Sequence, residues 1–177
     1  MTQSNCRLRY LHVSDLPMML DWRNHPDIRR WMYTGHEITP EEHRRWYEQT
    51  SKDKNRVLLV FERDQTAQGF VNLRRISDWG LGEWGFYVAP NSEKGTGSVM
   101  GGMALRYAFE SLRLKKLCGE VISSNSRSIR FHQRLGFRRE GILREQHFNG
   151  KSYEDIHCFG LLAREWMFIY SGKSNAP

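Results

Sequence analysis

Apolar positions along the chain recur with two different periods. Short apolar or alternating runs, which are typical of strands, cover residues 7–12, 57–61, 70–76, 81–88, 117–122, 142–148 and 153–162. Apolar residues three and four apart, which are typical of helices, cover residues 16–24, 40–50, 99–112 and 126–135, and residues 27–32 predict a short turn or helix. The pattern therefore predicts a chain that uses both strands and helices.

The order of these elements predicts the fold class. The early strands follow one another through short turns, which favours an antiparallel meander. A strand, a long helix and a strand then follow in succession, and such a crossover predicts a parallel pair. We expect a mixed α/β fold of six to seven strands with helices on its faces, as one domain over residues 1–170 with a disordered tail at 171–177.

Short signals mark several element ends. Thr39 followed by Glu42 predicts a capping box at the start of the second long helix. Ser14 is expected to cap the first helix, because serine accepts hydrogen bonds from the free amides of a helix start. Asn149 and Gly150 predict the tight turn of a hairpin near the end of the chain.

The net charge of +7 favours an anionic partner, although a solvated basic surface is an equally simple explanation. The arginines are dispersed in pairs, and aromatic residues do not alternate with them as they do in RNA-binding sheets. Phosphates on small ligands therefore fit the chain better than a nucleic acid does.

The cysteines and the apolar runs indicate the cellular compartment in which the protein works. Cys6, Cys118 and Cys158 are an odd, scattered set, so neither a disulfide framework nor a metal site is expected. The first residues lack the apolar core of a signal peptide, and no apolar run reaches membrane-spanning length. We therefore expect a cytoplasmic protein that does not enter a membrane.

The segment 93–98 carries the first sign of chemistry. It joins a predicted strand to a predicted helix through Gly95 and Gly97, and such a turn presents backbone amides at the positive end of the helix dipole. A plain turn is the alternative, because two glycines are a weak motif by themselves. A second block, 125–137, follows the next predicted strand and includes Asn125, Ser128 and His132.

Together these two blocks resemble the GCN5-related N-acetyltransferases (GNAT), and the resemblance extends over most of the chain. It implies α-β-α layers and acetyl-CoA as cosubstrate, with no metal. It also implies that the backbone of Tyr87 and Val88 contacts the pantetheine arm and the thioester. The residues expected to bind the rest of the cofactor are Lys94, Gly95, Thr96, Gly97, Ser98, Asn125 and Ser128. Asn125 and Ser128 suit helix capping equally well. Ser92 departs from the family motif, which usually has glutamine or arginine there.

The resemblance also suggests groups for proton transfer. His132 stands where the family usually has a tyrosine that protonates the departing thiolate, and a buried structural histidine is the alternative. Glu120 is a carboxylate in an apolar strand and a candidate base acting through water, with a solvated surface role or catalysis by water alone as the alternatives. Asn72 is a further catalytic candidate.

A narrower resemblance comes from Trp22-Arg23-Asn24-His25-Pro26 followed by Trp31-Met32-Tyr33, then His43. These motifs are similar to the PseH-type enzymes of flagellar-glycan synthesis. Such enzymes transfer acetyl directly, in a ternary complex, to the 4-amino group of a UDP-linked 4-amino-4,6-dideoxy sugar of the β-L-altrosamine type, on the way to pseudaminic acid for flagellin glycosylation. An alternative is that the motifs are only a helix stop followed by core aromatics.

This resemblance assigns the nucleotide sugar to Arg23, His43, Arg74, Arg75 and Tyr87, with Asn72 beside them. Neighbouring residues of a strand face opposite sides, so at most one arginine of the 74–75 pair can line a given surface. Surface ion pairs are the alternative role for these arginines.

Two other functions remain open. One is an N-terminal acetyltransferase of the ribosomal-protein type, for which an acidic groove would be expected in place of arginines. The other is a non-catalytic module that binds acyl-CoA, which the histidine at position 132 keeps open. The sequence also leaves open a homodimer.

Overall fold

The computed structural model describes residues 5–171. In chain order the elements are β1 (Cys6–Tyr10), a 3₁₀ turn (Val13–Asp15), α1 (Leu16–Asn24), α2 (Pro26–Arg29), α3 (Pro40–Thr50), β2 (Arg56–Arg63), β3 (Thr66–Arg75), β4 (Leu81–Val88), α4 (Thr96–Arg106), a π-helical segment (Tyr107–Ser111), β5 (Lys116–Ile122), α5 (Ser126–Arg134), β6 (Arg138–Phe148), β7 (Tyr153–Leu162) and α6 (Ala163–Ser171). Within residues 5–171, no helix combines the length and apolar character that crossing a membrane requires.

The seven strands form one mixed sheet in the order β1-β2-β3-β4-β5-β7-β6. Strands β1, β2 and β3 pair antiparallel. Strand β4 runs parallel to β5, with Leu81 opposite Lys116 and Glu83 opposite Cys118. The hairpin β6–β7 completes the sheet, and β7 pairs antiparallel with β5. The predicted mixed α/β class, the strand number and the parallel central pair are confirmed.

Contacts divide the chain into two compact units. The first comprises the chain up to Arg74 together with Gly85–Ala104, and the second comprises Arg75–Trp84 together with the chain from Leu105 onward. A single domain over residues 1–170 stays a prediction. The predicted tail begins at residue 171, and residues 172–177 lie outside the described part of the chain.

Each unit has its own apolar core. In the first unit, α1, α3, β2 and β3 bury a cluster made of Leu11, Leu16, Met19, Leu58, Val60 and Phe70. Trp46 and Tyr87 pack against this cluster. In the second unit, Trp84 stacks on Phe137 with ring centroids 5.2 Å apart, and His132 lies within the same group of rings.

Three local features differ from the sequence predictions. Ser14 lies inside the 3₁₀ turn and does not cap α1, since the capping box is formed by His12 and Asp15. The predicted helix 99–112 begins earlier, at Thr96, and changes to π-helical geometry at Tyr107. Helix α6 was not predicted, because Ala163 continues directly from β7 without a turn residue between them.

Candidate active site

The turn before α4 has the conformation that its glycines predict. Gly95 has a φ of +93°, which is the left-handed region that favours glycine. The amide of Thr96 donates to the carbonyl of Glu93 at 3.2 Å, and the amide of Ser98 donates to the carbonyl of Gly95 at 3.0 Å. Lys94 and Gly95 are exposed, so solvent reaches the start of an eleven-residue helix. The role of this turn in binding an anion stays a prediction.

Two side-chain contacts join this turn to the sheet of the first unit. The Thr96 hydroxyl is 1% exposed and donates to Oε1 of Gln68 at 3.1 Å. The carboxylate of Glu93 accepts from Nη1 of Arg63 at 2.7 Å. Each contact ties one end of the turn to a strand, so the backbone amides between them are held in a fixed arrangement.

Strand β3 approaches both α4 and the backbone of Tyr87 closely at Gly69. A Cβ on Gly69 would lie 2.5 Å from Sδ of Met100 and 3.1 Å from the carbonyl oxygen of Tyr87. A side chain at this position would force Met100 to move and would crowd the carbonyl of Tyr87. The Tyr87 ring packs on Phe70, with centroids 5.3 Å apart. The backbone predicted to contact the pantetheine arm is therefore firmly seated in the first unit.

Arg23 places a half-buried cation at the end of α1. Its Nη2 donates to the carbonyl of Thr34 at 3.0 Å. Its Nη1 is also buried, yet it finds no hydrogen-bond partner among residues 5–171. Such a group costs free energy in the unliganded protein, because a desolvated donor has lost its water without gaining an acceptor. The orphaned nitrogen therefore points to a ligand.

The segment after α2 is held against Arg23 by Asn24. Its side-chain amide donates to the carbonyl of Ile38 at 2.8 Å and accepts from the amide of Ile38 at 2.9 Å. One residue thus satisfies both backbone groups of Ile38. The segment that accepts the Arg23 guanidinium at Thr34 is fixed by this second anchor.

Two ionisable rings belong to the same group as Arg23. His43 is 5% exposed and stacks on Trp46, with centroids 5.2 Å apart. Burial, and then the charge of Arg23, lowers the pKa of His43. Burial raises the pKa of Tyr87, which the charge of Arg23 opposes. At neutral pH the group therefore carries one positive charge, on Arg23, and two neutral rings that can donate or accept hydrogen bonds.

Strand β3 separates the two predicted arginines. Alternation puts Asn72 and Arg74 on the face that Phe70 shares with Tyr87, and Arg75 on the other face. The Oδ1 of Asn72 is buried and finds no hydrogen-bond partner in the described residues. Arg75 donates from Nη2 to the carbonyl of Leu112, at the end of the π-helical segment. This contact gives Arg75 a structural role and speaks against its predicted role in substrate binding.

His132 lies deep in the second unit. It is 2% exposed, and its Nε2 lies 3.2 Å from Nε1 of Trp84. Its Nδ1 lies 2.9 Å from the carbonyl oxygen of Ser128. An indole nitrogen can only donate and a carbonyl can only accept, so the proton of the neutral ring is on Nδ1. Both ring nitrogens are used inside the protein.

The electrostatics of His132 agree with this geometry. Burial lowers its pKa from 6.5 to about 4, although the contact with Ser128 opposes the shift. The ring is neutral at physiological pH and has no ionisable proton to give. The predicted role of His132 as the acid for the thiolate is therefore disfavoured, and the alternative of a buried structural histidine fits better.

The other candidates of the second unit have separate surroundings. Glu120 is exposed on β5 and lies opposite Cys158 in the register. Asn125 caps α5, since its Oδ1 accepts from the amide of Ser128 at 3.0 Å. The carbonyl of Ser128 accepts a hydrogen bond from Nδ1 of His132. Asn125 and Ser128 thus have the capping roles that were their alternatives, and contact with the cofactor stays a prediction for both.

Sequence reasoning missed Arg63, Gln68 and Trp84. All three act through partners far along the chain, and none lies in a motif. Alternation offered one signal for Trp84, because it predicts that this ring faces the interior when the exposed residues of β4 face outward. Arg63 and Gln68 gave no comparable signal.

Comparison with known proteins identifies the architecture. The sequence model of the Acetyltransferase (GNAT) domain matches residues 5–138. Acetyltransferase PseH of Campylobacter jejuni is 31% identical over 127 residues, which cover 72% of this chain and 79% of the relative. An N-acetyltransferase named YokL from Bacillus subtilis is 37% identical over 127 residues, which cover 70% of this chain and 71% of that protein.

Solved structures agree at the level of the fold and of the cosubstrate. The crystal structure of spermidine N-acetyltransferase from Vibrio cholerae, in complex with CoA and spermine, superposes with a TM-score of 0.85 at 25% identity. The alignment covers 92% of this chain and 98% of that chain.

Proposed function

The chain belongs to the GNAT acetyltransferase family and is an acetyl-CoA-dependent N-acetyltransferase, and from this premise we propose its acceptor. The acceptor is the 4-amino group of a UDP-linked 4-amino-4,6-dideoxy sugar, as in the PseH-type enzymes that the sequence resembles. Acetyl then passes directly to the amine while both substrates are bound. On this proposal the enzyme serves pseudaminic acid synthesis for flagellin glycosylation.

The orphaned Nη1 of Arg23 carries this proposal. A guanidinium whose buried Nη1 has no acceptor among residues 5–171 suits an anionic ligand, because arginine pairs with phosphate through two parallel hydrogen bonds. The neighbours that act on the pKa of Arg23 are Tyr87 and Arg29, and neither is a carboxylate. The diphosphate of a nucleotide sugar supplies the missing charge, and the stacked rings of His43 and Trp46 supply an aromatic surface beside it.

A polyamine acceptor is the competing proposal, because the chain is similar over most of its length to spermidine N(1)-acetyltransferase of Vibrio cholerae. The identity is 25% over 167 residues, which cover 93% of this chain and 96% of the relative. A polycation requires carboxylates, however, and Arg23 would repel it. The charge of Arg23 therefore favours the nucleotide sugar over spermidine and over a peptide amine.

For the cosubstrate, the turn before α4 offers the best fit. Acetyl-CoA supplies the acyl group as a thioester and carries a pyrophosphate that the amides of 94–98 suit. Lys94 is exposed beside them and adds a positive charge. The backbone of Tyr87 and Val88 is proposed to orient the pantetheine arm, and the packing of Gly69 against Tyr87 keeps this stretch of β4 in position.

Proton handling is assigned to exposed groups. Glu120 is proposed to accept, through water, the proton that the substrate ammonium must lose before it attacks the thioester carbon. The new bond joins the amine nitrogen to the acetyl carbon, and the carbon–sulfur bond breaks. We propose that solvent donates the proton to the departing thiolate, because both ring nitrogens of His132 are already hydrogen-bonded to Trp84 and Ser128.

A competition assay tests the proposal. The protein is incubated with acetyl-CoA and, in parallel, with UDP-4-amino-4,6-dideoxy sugars, spermidine and an N-terminal peptide, while thiol release and product mass are measured. We expect turnover with a UDP-4-amino sugar and a product heavier by one acetyl group. Preferential acetylation of spermidine or of the peptide would overturn the acceptor. Binding of acetyl-CoA without turnover of any amine would favour the acyl-CoA-binding module.

Two further predictions concern the setting of the enzyme. We propose that it works in the cytoplasm, where acetyl-CoA and nucleotide sugars are both made. A homodimer stays a prediction that size-exclusion chromatography with light scattering will test.

A further inference from the structure

Glu93 introduces a conflict into the turn before α4. Its carbonyl accepts the amide of Thr96, so the residue is an integral part of the turn. Its carboxylate is 69% exposed and lies two positions before Gly95. A negative charge at this place would repel the pyrophosphate that the proposed function assigns to residues 94–98, because both groups would be near the same amides. The turn therefore needs a counter-charge.

Arg63 supplies that charge from the end of β2. Its Nη1 donates to Oε2 of Glu93 at 2.7 Å, and its side chain is only 11% exposed. Its Nε is buried and finds no acceptor among residues 5–171. Contacts with Cys6 and Glu93 raise the pKa of Arg63 further, so the guanidinium is charged at every physiological pH. A buried arginine with one exposed carboxylate partner is more ordered than a pair in which both groups are mobile.

We propose that Arg63 is a positioning residue for acetyl-CoA, which neutralises Glu93 and holds its carboxylate so that the turn accepts a pyrophosphate. The proposal rests on the assignment of the pyrophosphate to residues 94–98. Arg63 acts through Glu93 and does not touch the ligand. The second tie, from Thr96 to Gln68, holds the other end of the turn and carries no charge.

The decisive experiment is a double-mutant cycle. In R63Q, Glu93 is left as an unpaired carboxylate, and we expect the KM and the Kd for acetyl-CoA to rise roughly ten-fold with an unchanged acceptor KM. In the double variant R63Q/E93Q, both constants should return to within about two-fold of the native values, because the repelling charge is gone. E93Q alone leaves the positive charge of Arg63 uncompensated and should bind acetyl-CoA at least as tightly as the native protein.

Controls separate charge from folding. R63K retains the charge and should stay within about three-fold of the native Kd. R56Q removes an arginine from the other end of β2, where it pairs with Asp53, and should leave acetyl-CoA binding unchanged. The R63Q defect should also shrink when the salt concentration rises from 0.05 M to 0.5 M, because salt screens exposed charges. If R63Q does not fold, R63M and R63M/E93Q, which also remove the charge at position 63, carry the comparison.

The outcomes distinguish this inference from the proposed cofactor site. G97E adds a carboxylate inside the turn and should weaken acetyl-CoA binding more than R63Q does. An unchanged Kd in G97E would remove the pyrophosphate from this turn and overturn both. A weakened G97E together with a native R63Q would overturn only the role of Arg63. A defect in R63Q that E93Q does not rescue would also overturn it, since Arg63 would then act through the fold or on the ligand itself.

Discussion

The group around Arg23 in the first unit and the group around His132 in the second unit both bury nitrogen atoms, but with opposite results. In the described part of the chain, Nη1 of Arg23 has no acceptor. His132 has a partner for each ring nitrogen. Buried polar groups are almost always paired in folded proteins, so we take the unpaired Nη1 of Arg23 as a contact with the proposed acceptor. A paired ring instead marks the core.

The largest expected effect comes from removing the charge of the group around Arg23. In Arg23→Gln the diphosphate of the nucleotide sugar loses its positively charged partner. The kcat/KM for the nucleotide sugar should therefore fall by roughly 10³-fold, about 4 kcal/mol. The Kd for acetyl-CoA should not change, which calorimetry will measure. The matched control is Arg30→Gln, an exposed arginine that pairs with Asp27. An equal loss in both variants would contradict the special role of Arg23.

A variant of Glu120 tests whether an exposed residue of the second unit, and not the buried His132, takes part in catalysis. Glu120→Gln should lower kcat by roughly 10²-fold at neutral pH, which is the usual contribution of a general base. The deficit should narrow at alkaline pH, where more of the amine is already unprotonated. Glu110→Gln removes another exposed carboxylate and serves as the control. A native kcat in Glu120→Gln would assign the base role to water.

His132 gives a pH-dependent stability. Its folded pKa of about 4 lies below the ordinary 6.5, so between these values the unfolded chain binds more protons than the folded protein. The stabilisation is complete above pH 6.5 and is lost as the pH falls toward 4, with a loss of roughly 2 kcal/mol at pH 5. Urea unfolding at pH 7 and pH 5 will measure it.

The companion variant His132→Gln lacks this titration, so its free energy of unfolding should change less between the two pH values. Its kcat should stay within about three-fold of the native value. A drop in kcat of a hundred-fold or more would instead restore His132 as the acid and end the contrast with Arg23.

The smallest effect sharpens the role of Asn125. Asn125→Ala removes the cap of α5 and should lower the free energy of unfolding by about 1 kcal/mol. Asn125→Asp keeps an oxygen acceptor and should keep most of the stability. If Asn125→Asp is stable but binds acetyl-CoA less tightly, the amide also contacts the cofactor.

Local rules account for the parts of the fold that the sequence predicts well. Thr39 and Glu42 form the expected capping box of α3, with the Thr39 amide donating to Glu42 at 2.7 Å. The predicted strand 81–88 coincides with β4. In each case the signal lies within a few residues of the element that it specifies. The predicted cap of α1 was wrong because Ser14 lies inside a 3₁₀ turn that His12 caps, and α1 follows Asp15 without a side-chain cap.

Long-range contacts account for what the sequence could not predict about the site. Arg63 meets Glu93 across 30 positions, Arg75 meets Leu112 across 37, and Trp84 meets His132 across 48. Residue type predicts that an arginine or a histidine needs a partner, but the partner depends on how the strands align. For this reason the glycine turn was predictable, whereas the hydrogen-bond partners of Arg75 and His132 were not.

Gly119 limits which side chains positions 84 and 132 can carry. A Cβ at this position would lie 2.7 Å from both His132 Nε2 and Trp84 Nε1, so the strand has room for the paired rings only because it carries no side chain there. Positions 84, 119 and 132 are thus constrained as a set. We expect relatives that have tyrosine at position 132 to differ at one of the other two positions as well, so that His132→Tyr alone is a poorly accessible step in evolution.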